Sequence, residues 1–371
     1  MPPAVETRKH IGNPVVEEDL AYIYQSFKEK DKLKNATILV TGCAGFLGYY
    51  FLQLLTHYAS ELKLNSIIGV DNFKLGRPAW VDALSAKSDK LQVNSCDVCG
   101  DEILRLEGLS QVNYVIHMAS IASPAYYRQY PIETMDANIW GLRRLLEYFK
   151  DKNLKGFLFF SSSEIYGDPD AANIPTKETY RGSVSCVGPR ACYDESKRFG
   201  ETLCYNFANQ YAMPIGVARP FNNYGPGLRI DDKRVVADFA KAVLENKDIV
   251  ILSDGAPTRT FCYVADALIG YLKVLTHGAF DYFNIGIDRP EISVKQLAEI
   301  YAAVGKKILG YTGKVVFQSS KDKDYLTDNP NRRCPDISKA RSVLDFHPTV
   351  DVHEGVQKFL KFLHAQKGQV W

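Results

Sequence analysis

The sequence has no excess of either charge: 45 Lys and Arg stand against 43 Asp and Glu, a formal net charge of +2 in 371 residues. Proteins that bind nucleic acid or an anionic membrane surface carry a basic face, and so even a balance gives no sign of one. No apolar run is long enough to span a bilayer, and the opening M-P-P-A-V-E-T-R-K-H lacks the apolar core of a signal peptide. A cytoplasmic protein with no nucleic-acid and no membrane partner is expected. Metal ligands are thinly spread. The seven histidines are dispersed, and the eight cysteines, at 43, 96, 99, 186, 192, 204, 262 and 334, lie in apolar or motif contexts, as reduced thiols do. Cys96-Asp97-Val98-Cys99 has the C-x-x-C form, but no second pair or histidine cluster completes a zinc set, so no metal is expected. His117, at the end of an apolar strand, is expected to be a packed core residue. The sequence also lacks internal repeats and low-complexity tracts.

What is present is a long apolar chain, 46% hydrophobic, enough for one large domain and a smaller one. Short β-branched or aromatic runs at Ile38 to Thr41, Ser66 to Asp71, Leu91 to Asp97, Tyr114 to Met118, Gly156 to Ser161 and Ile215 to Arg219 alternate with helical stretches. The clearest helices are Phe51 to Tyr58, Asp136 to Lys150 and Tyr193 to Tyr211, and the alternation predicts a doubly wound parallel sheet, an α/β fold. Beyond Arg219 the pattern loosens into a Pro- and Gly-rich passage and a C-terminal region with two helices. The first 34 residues read as an appended segment, with a helix over Glu17 to Lys32 whose apolar stripe packs on the body or on a partner.

The first strand runs straight into Gly42-Cys43-Ala44-Gly45-Phe46-Leu47-Gly48 and then a helix. Strand, glycine turn and helix in that order cradle a pyrophosphate: one glycine makes the turn, one admits the phosphates, one lets helix and strand pack. The second strand ends in Asp71, 23 residues after Gly48, where a carboxylate bonds the adenosine ribose hydroxyls and repels a 2′-phosphate. NAD is therefore expected over NADP, although Lys74 and Arg77 stand close by. The pair Tyr193 and Lys197 lies one helical turn apart. An ammonium beside a phenol is expected to lower its pKa toward neutrality, making Tyr193 a base for an alcohol proton.

Seven motifs, G-C-A-G-F-L-G, D-N-F-x-x-G, H-M-A-S-x-A-S-P, S-S-S-E-I-Y-G-D, Y-D-E-S-K, R-P-F-N-N-Y-G-P and T-R-T-F-C-Y-V-x-D, occur in order from Ala36 onward. In these the chain resembles the extended short-chain dehydrogenases acting on nucleotide sugars, and most of all the UDP-glucuronate decarboxylases. The resemblance implies a Rossmann-type NAD-binding domain over 35–220, with 264–286 returning to it, and a smaller C-terminal α/β nucleotide-sugar domain over 221–263 and 287–371. It implies a tightly bound NAD, a UDP-sugar substrate and a homodimer formed through helices of the first domain.

It also implies roles for individual residues. Gly42, Gly45, Phe46, Leu47, Gly48, Asp71, Asn72, Phe73, Gly76, Asp97, Val98, Ala119 and Ser120 would hold the cofactor, together with Tyr193 and Lys197. Ser162, Ser163, Glu164, Tyr193, Lys197 and Arg259 would be catalytic. Tyr127 would approach the sugar, Asn222 the diphosphate, and Arg234 and Arg333 the phosphates or nucleotide, with Arg259 also touching substrate. The sugar 4,6-dehydratases place an aspartic acid where this chain has Ser163, and a serine is a poor general acid. The 4-epimerases place a small residue where this chain has Glu164. Decarboxylases carry Thr-Ser-Glu, matched here by Ser162-Ser163-Glu164, and an arginine matched by Arg259. The expected reaction is decarboxylation of a UDP-hexuronate, with epimerisation or dehydration as the alternative. One departure is Asp136, where decarboxylases often carry a lysine.

Overall fold

The computed structural model describes residues 12–320, 327 and 329–366. The six apolar runs are strands, β1 (Thr37–Thr41), β2 (Ser66–Asp71), β3 (Leu91–Ser95), β4 (Val112–His117), β5 (Gly156–Phe160) and β6 (Ile215–Pro220), and a further strand, β7 (Asp281–Ile285), joins them. They pair in the order β7-β6-β5-β4-β1-β2-β3, every pair parallel. A parallel sheet is covered on both faces, which is why β1 and β5 are apolar and buried throughout. Alternate side chains enter different cores. Ile38, Val40, Leu158 and Phe160 face one cluster, while Leu39, Phe157 and Phe159 face the other.

Five helices frame the sheet and its crevice: α1 (Pro14–Ser26), α2 (Phe46–His57), α3 (Ala191–Tyr211), α4 (Val264–Leu275) and α5 (Val352–Ala365). α2 and α4 cover the first face, and all twelve residues of α4 are buried there. α3 covers the second through Cys204, Phe207 and Ala208. The strand order reverses between β1 and β4, so the connections leave in opposite directions and open a crevice at the carboxyl ends of these strands. This is the Rossmann-type doubly wound α/β sheet that the sequence predicts, with β7 added at its edge by the return of residues 264–285.

Three differences from the sequence reading have local causes. The stretch Asp136 to Lys150 is not one helix: α-helix Pro131–Asp136 passes through a π turn, Ala137–Gly141, before α-helix Leu142–Phe149. At that turn Asn138 is buried and donates to Ser196 Oγ at 2.9 Å, and a Cβ on Gly141 would lie 2.5 Å from Val98 Cγ2. Tertiary contact, which periodicity does not register, sets the backbone there. Among the described residues from 287 onward there are three helices rather than two, Val294–Leu309, Ser338–Leu344 and Val352–Ala365; Ser338–Leu344 is only seven residues long and too short to show a repeat. The appended helix begins at Pro14, capped by Asn13 Oδ1 on Val15 N at 3.1 Å, and gives way to a 3-10 turn at Lys30–Leu33.

α1 packs on the body, against α2, α4 and α5. Its Asp19 is 1% exposed and accepts from Tyr50 on α2 at 2.7 Å, from Tyr263 just before α4, and from Lys358 Nζ on α5 at 2.9 Å. Burial raises its pKa, while Lys358 and the two phenols act against that rise. Removing the carboxylate would leave three polar groups facing one another without an acceptor. Asp19→Ala is expected to destabilise the fold by about 3 kcal/mol, measured by urea unfolding with the wild type alongside.

Candidate active site

The carboxyl ends of β1 to β6 open on one cavity of about 930 Å³, the size of a pocket for a large ligand. The glycine turn forms one wall. Gly42 has φ +71°, and a Cβ there would lie 2.7 Å from Ala119 N at the end of β4. A Cβ on Gly48 would lie 2.3 Å from Cys43 O, so the start of α2 sits directly against the turn. Gly45, Phe46 and Leu47 line the cavity at the helix N-terminus, where unpaired N–H groups and the helix dipole suit phosphate oxygens.

Asp71 accepts from Ala44 N at 3.0 Å and Phe73 N at 2.8 Å, and burial raises its pKa against those bonds. Lys74 is paired with Glu133 at 3.1 Å and Arg77 with Asp82 at 2.6 Å. With both nearby cations engaged, the carboxylate sets the local sign, which favours a ribose hydroxyl over a 2′-phosphate. Asn72, Gly76, Asp97, Val98, Ala119 and Ser120 line the same region. Phe73 does not: its ring lies under the Arg77 guanidinium at 4.3 Å, and only its N–H serves the site, through Asp71. Ser120 Oγ and Ser161 Oγ, at the ends of β4 and β5, are buried without a hydrogen-bond partner. Orphaned hydroxyls beside a glycine cradle and a ribose-type carboxylate fit a dinucleotide. His117 is 2% exposed, pairs through Nδ1 with Thr41 Oγ1 at 2.7 Å, and is pulled down to about 3 by burial. It is a neutral core residue.

The reacting end differs from expectation in its electrostatics. Burial pushes the Tyr193 phenol up to about 12, and the neighbouring Ser162 hydroxyl acts against that rise. Lys197 Nζ donates to Phe160 O at 2.7 Å and lies 5.6 Å from the Tyr193 ring centroid. Burial pulls Lys197 itself down to about 7. The expected lowering of the phenol by a neighbouring ammonium is thus reversed, because the same desolvation penalises both charges. Tyr127, expected near the sugar, stacks on Tyr193 with centroids 5.1 Å apart and planes 11° apart.

Glu164 follows Ser163 and gives its N–H to Ser162 Oγ at 3.2 Å. Burial would push its carboxyl up, but Arg190 and Arg333 overcome this and hold it down to about 2. Arg333 grips it with both terminal nitrogens and Arg190 with one. Arg333, expected at a phosphate, is here a partner of the glutamate. Arg259 stands beside them, and burial together with Arg333 pulls it down to about 9. Its Nη1 donates to Thr258 O at 2.7 Å and Asn331 O at 3.1 Å, and its Nη2 to Pro330 O and, at 3.3 Å, Asn329 Oδ1. Those bonds tie down the segment leading to Arg333. Asn222, at φ +43°, donates to Thr260 O at 2.9 Å. Arg234 is paired with Asp232 and Arg229 with Asp231, and both line the cavity with Lys233; phosphates would reach these arginines by exchanging with their carboxylates.

Sequence reasoning misses Arg190 and Asp194. Their signal is the spacing R-A-C-Y-D, which puts an arginine and a carboxylate four apart at the start of α3; Arg190 Nε and Asp194 Oδ2 are 3.5 Å apart.

Lys197 generates a pH prediction. Its folded pKa, about 7, lies below that of an unfolded lysine, so the unfolded chain holds the extra proton between the two values. Stability from this group is fully present above the unfolded value and is lost as pH falls toward 7. The wild type is expected to gain up to about 1.4 kcal/mol per pH unit over Lys197→Met between pH 7.5 and 9; parallel urea-unfolding curves at the two pH values check it.

Residues 38–286 match the model of the NAD dependent epimerase/dehydratase family. The chain is 34% identical over 338 residues to UDP-glucuronic acid decarboxylase 1 of Xenopus tropicalis, covering 91% of this chain and 74% of that protein. Among solved structures it is similar to UDP-glucose 4-epimerase of Thermotoga maritima with UDP-glucose, with TM-score 0.76, 28% identity and 89% and 99% of the two chains covered. It is likewise similar to UDP-glucuronic acid 4-epimerase of Bacillus cereus in complex with UDP-glucuronic acid and NAD, with TM-score 0.71, 26% identity and 88% and 98% covered. The glycine turn and Asp71 thus stand at strand ends, and Tyr193 at the start of α3, in a sheet fold shared with these enzymes, and the chain belongs to the NAD-dependent epimerase/dehydratase family.

Proposed function

We propose that the protein decarboxylates a UDP-hexuronate, UDP-glucuronate in the first instance, through a 4-keto sugar. The observation that carries this reading is the arginine-held Glu164 beside Ser163, immediately next to Tyr193. A small residue there would leave room for a sugar to turn over, and an acid at 163 would expel water; neither is present. The name of the Xenopus relative agrees with the reading.

NAD, when bound at the glycine turn, supplies a hydride acceptor for C4 that carries positive charge in its oxidised form. Tyr193 takes the proton of the 4-hydroxyl, and the neighbouring Ser162 hydroxyl, which acts to lower the phenol pKa, eases the developing phenolate. With C4 a ketone, a C6 carboxylate is β to a carbonyl. The C5–C6 bond breaks, carbon dioxide leaves, and the bonding pair enters the C4–C5 enolate. Tyr193, now protonated, donates to the enolate oxygen. A proton then enters at C5, and Glu164 and Ser163 are placed to position the water that brings it. The arginines supply the positive field in which the carboxylate is held.

The similarity to a UDP-glucuronic acid 4-epimerase keeps epimerisation of the same substrate as the second reading. Mass spectrometry of the protein incubated with NAD and UDP-glucuronate separates the two. Loss of carbon dioxide is expected, with the product mass showing whether pentose or 4-ketopentose leaves. An unchanged mass with altered retention refutes decarboxylation in favour of epimerisation. Tyr193→Phe is expected to lower turnover about 100-fold or more without changing the unfolding midpoint by more than a degree or so, and near-normal turnover would remove Tyr193 from its role.

We also propose a homodimer through the helices of 131–149 and α3. Four of the eight large exposed apolar side chains among the described residues, Ile132, Trp140, Phe199 and Tyr205, lie on them. Sedimentation of Trp140→Glu combined with Phe199→Glu is expected to show monomer where the wild type shows dimer.

A further inference from the structure

Three guanidinium groups, those of Arg190, Arg259 and Arg333, converge beside Tyr193, with two carboxylates, Glu164 and Asp194, among them. All three arginines are buried. Burial and Glu164 raise the Asp194 carboxyl to about 7, so even with both carboxylates ionised one positive charge is left without an anionic partner in a place where water screens poorly, an arrangement that is costly unless a further anion joins it. Asp168, the next carboxylate along, is exposed and accepts from Asn331 N and Nδ2, so it does not fill the gap.

The three arginines are not equally ready to take that anion. The terminal nitrogens of Arg259 are engaged by Thr258, Pro330, Asn331 and Asn329. Arg333 holds Glu164 as a fork, the strongest geometry for a carboxylate. Arg190 holds Glu164 by Nη2 alone, and its Nε reaches Asp194 only at 3.5 Å. Its bond is the easiest to exchange. Tyr193 N donates to Arg190 O at 3.0 Å, so the arginine belongs to the same turn as the residue that handles the 4-hydroxyl, and C6 of a hexuronate is attached to the carbon next to C4.

We propose that the substrate's C6 carboxylate displaces Glu164 from Arg190, which makes Arg190 the specificity-determining residue for a uronate and leaves Glu164 held by Arg333 alone only when a uronate is bound. The inference rests on the decarboxylase reading for its substrate. Glu164 is then an internal stand-in for the ligand. A hexose nucleotide without the carboxylate leaves the Arg190–Glu164 pair closed.

The two residues pull ligand affinity in opposite directions, which a structural role does not do. Binding is measured by calorimetry on NAD-loaded protein in the Tyr193→Phe background, which prevents turnover, with UDP-glucuronate and with UDP-xylose, which lacks the carboxylate. Arg190→Gln is expected to raise the Kd for UDP-glucuronate by about tenfold or more and to leave that for UDP-xylose within about threefold. Glu164→Gln, nearly isosteric, is expected to lower the Kd for UDP-glucuronate by about threefold or more by removing the internal competitor, again without moving UDP-xylose. Equal shifts for both ligands in Arg190→Gln, or weaker UDP-glucuronate binding in Glu164→Gln, would overturn the exchange. Should Arg190→Gln fail to fold, Glu164→Gln decides alone. Carboxylate-specific shifts in a protein that releases no carbon dioxide would sink the decarboxylase reading and keep the exchange; carbon dioxide release without such shifts would do the reverse.

Discussion

Charge removed from water governs this molecule. Asp19 is answered by an ammonium and two phenols, Arg219 by Glu201 and the Tyr166 hydroxyl, and Glu164 by two arginines. Each of these holds its part of the fold because the alternative is an unpaired buried ion. Lys197 and Arg259 are the exceptions, bonded to carbonyl oxygens rather than to a carboxylate, and burial lowers the pKa of each. A centre assembled this way is prepared for charge it does not itself contain. The phenol is held protonated and the lysine lies near neutrality, so a cation arriving beside the phenol would lower it and an anion would raise it.

How much of this is legible in the sequence depends on the distance over which each feature is built. The glycine turn, Asp71, the serines after β5 and the Tyr193–Lys197 pair are local patterns, each fixed by a strand end or one helical turn, and the chain displays them openly. The order of the sheet is legible for the same reason, since parallel strands buried on both faces are continuous apolar runs. The Arg333–Glu164 pair joins residues 169 apart, and no spacing rule reaches across that interval; Arg333 alone reads as one more cation in a basic run. Arg190 is nearer to view, three residues before Tyr193, yet it has meaning only once Glu164 is seen against it. The break at Ala137–Gly141 is set by Val98 and Ser196 from other elements. The reversed sign at Tyr193 has a different source: a sequence shows that two groups are neighbours but not how much water they have lost.

The N-terminal helix has the look of an appendage in the sequence and is part of the core. Its Asp19 joins α1 to α5 through Lys358, with α2 and the segment before α4 as the other anchors. A single carboxylate thereby closes a long loop of chain. Tyr50 follows Asp19 by 31 residues, but Tyr263 follows by 244 and Lys358 by 339. During synthesis the acidic group of α1 therefore stays solvated long after the helix itself is made. The order in which these residues are made and the order in which the buried charge can be neutralised run opposite to one another, and α1 is sealed in place only when α5 reaches it.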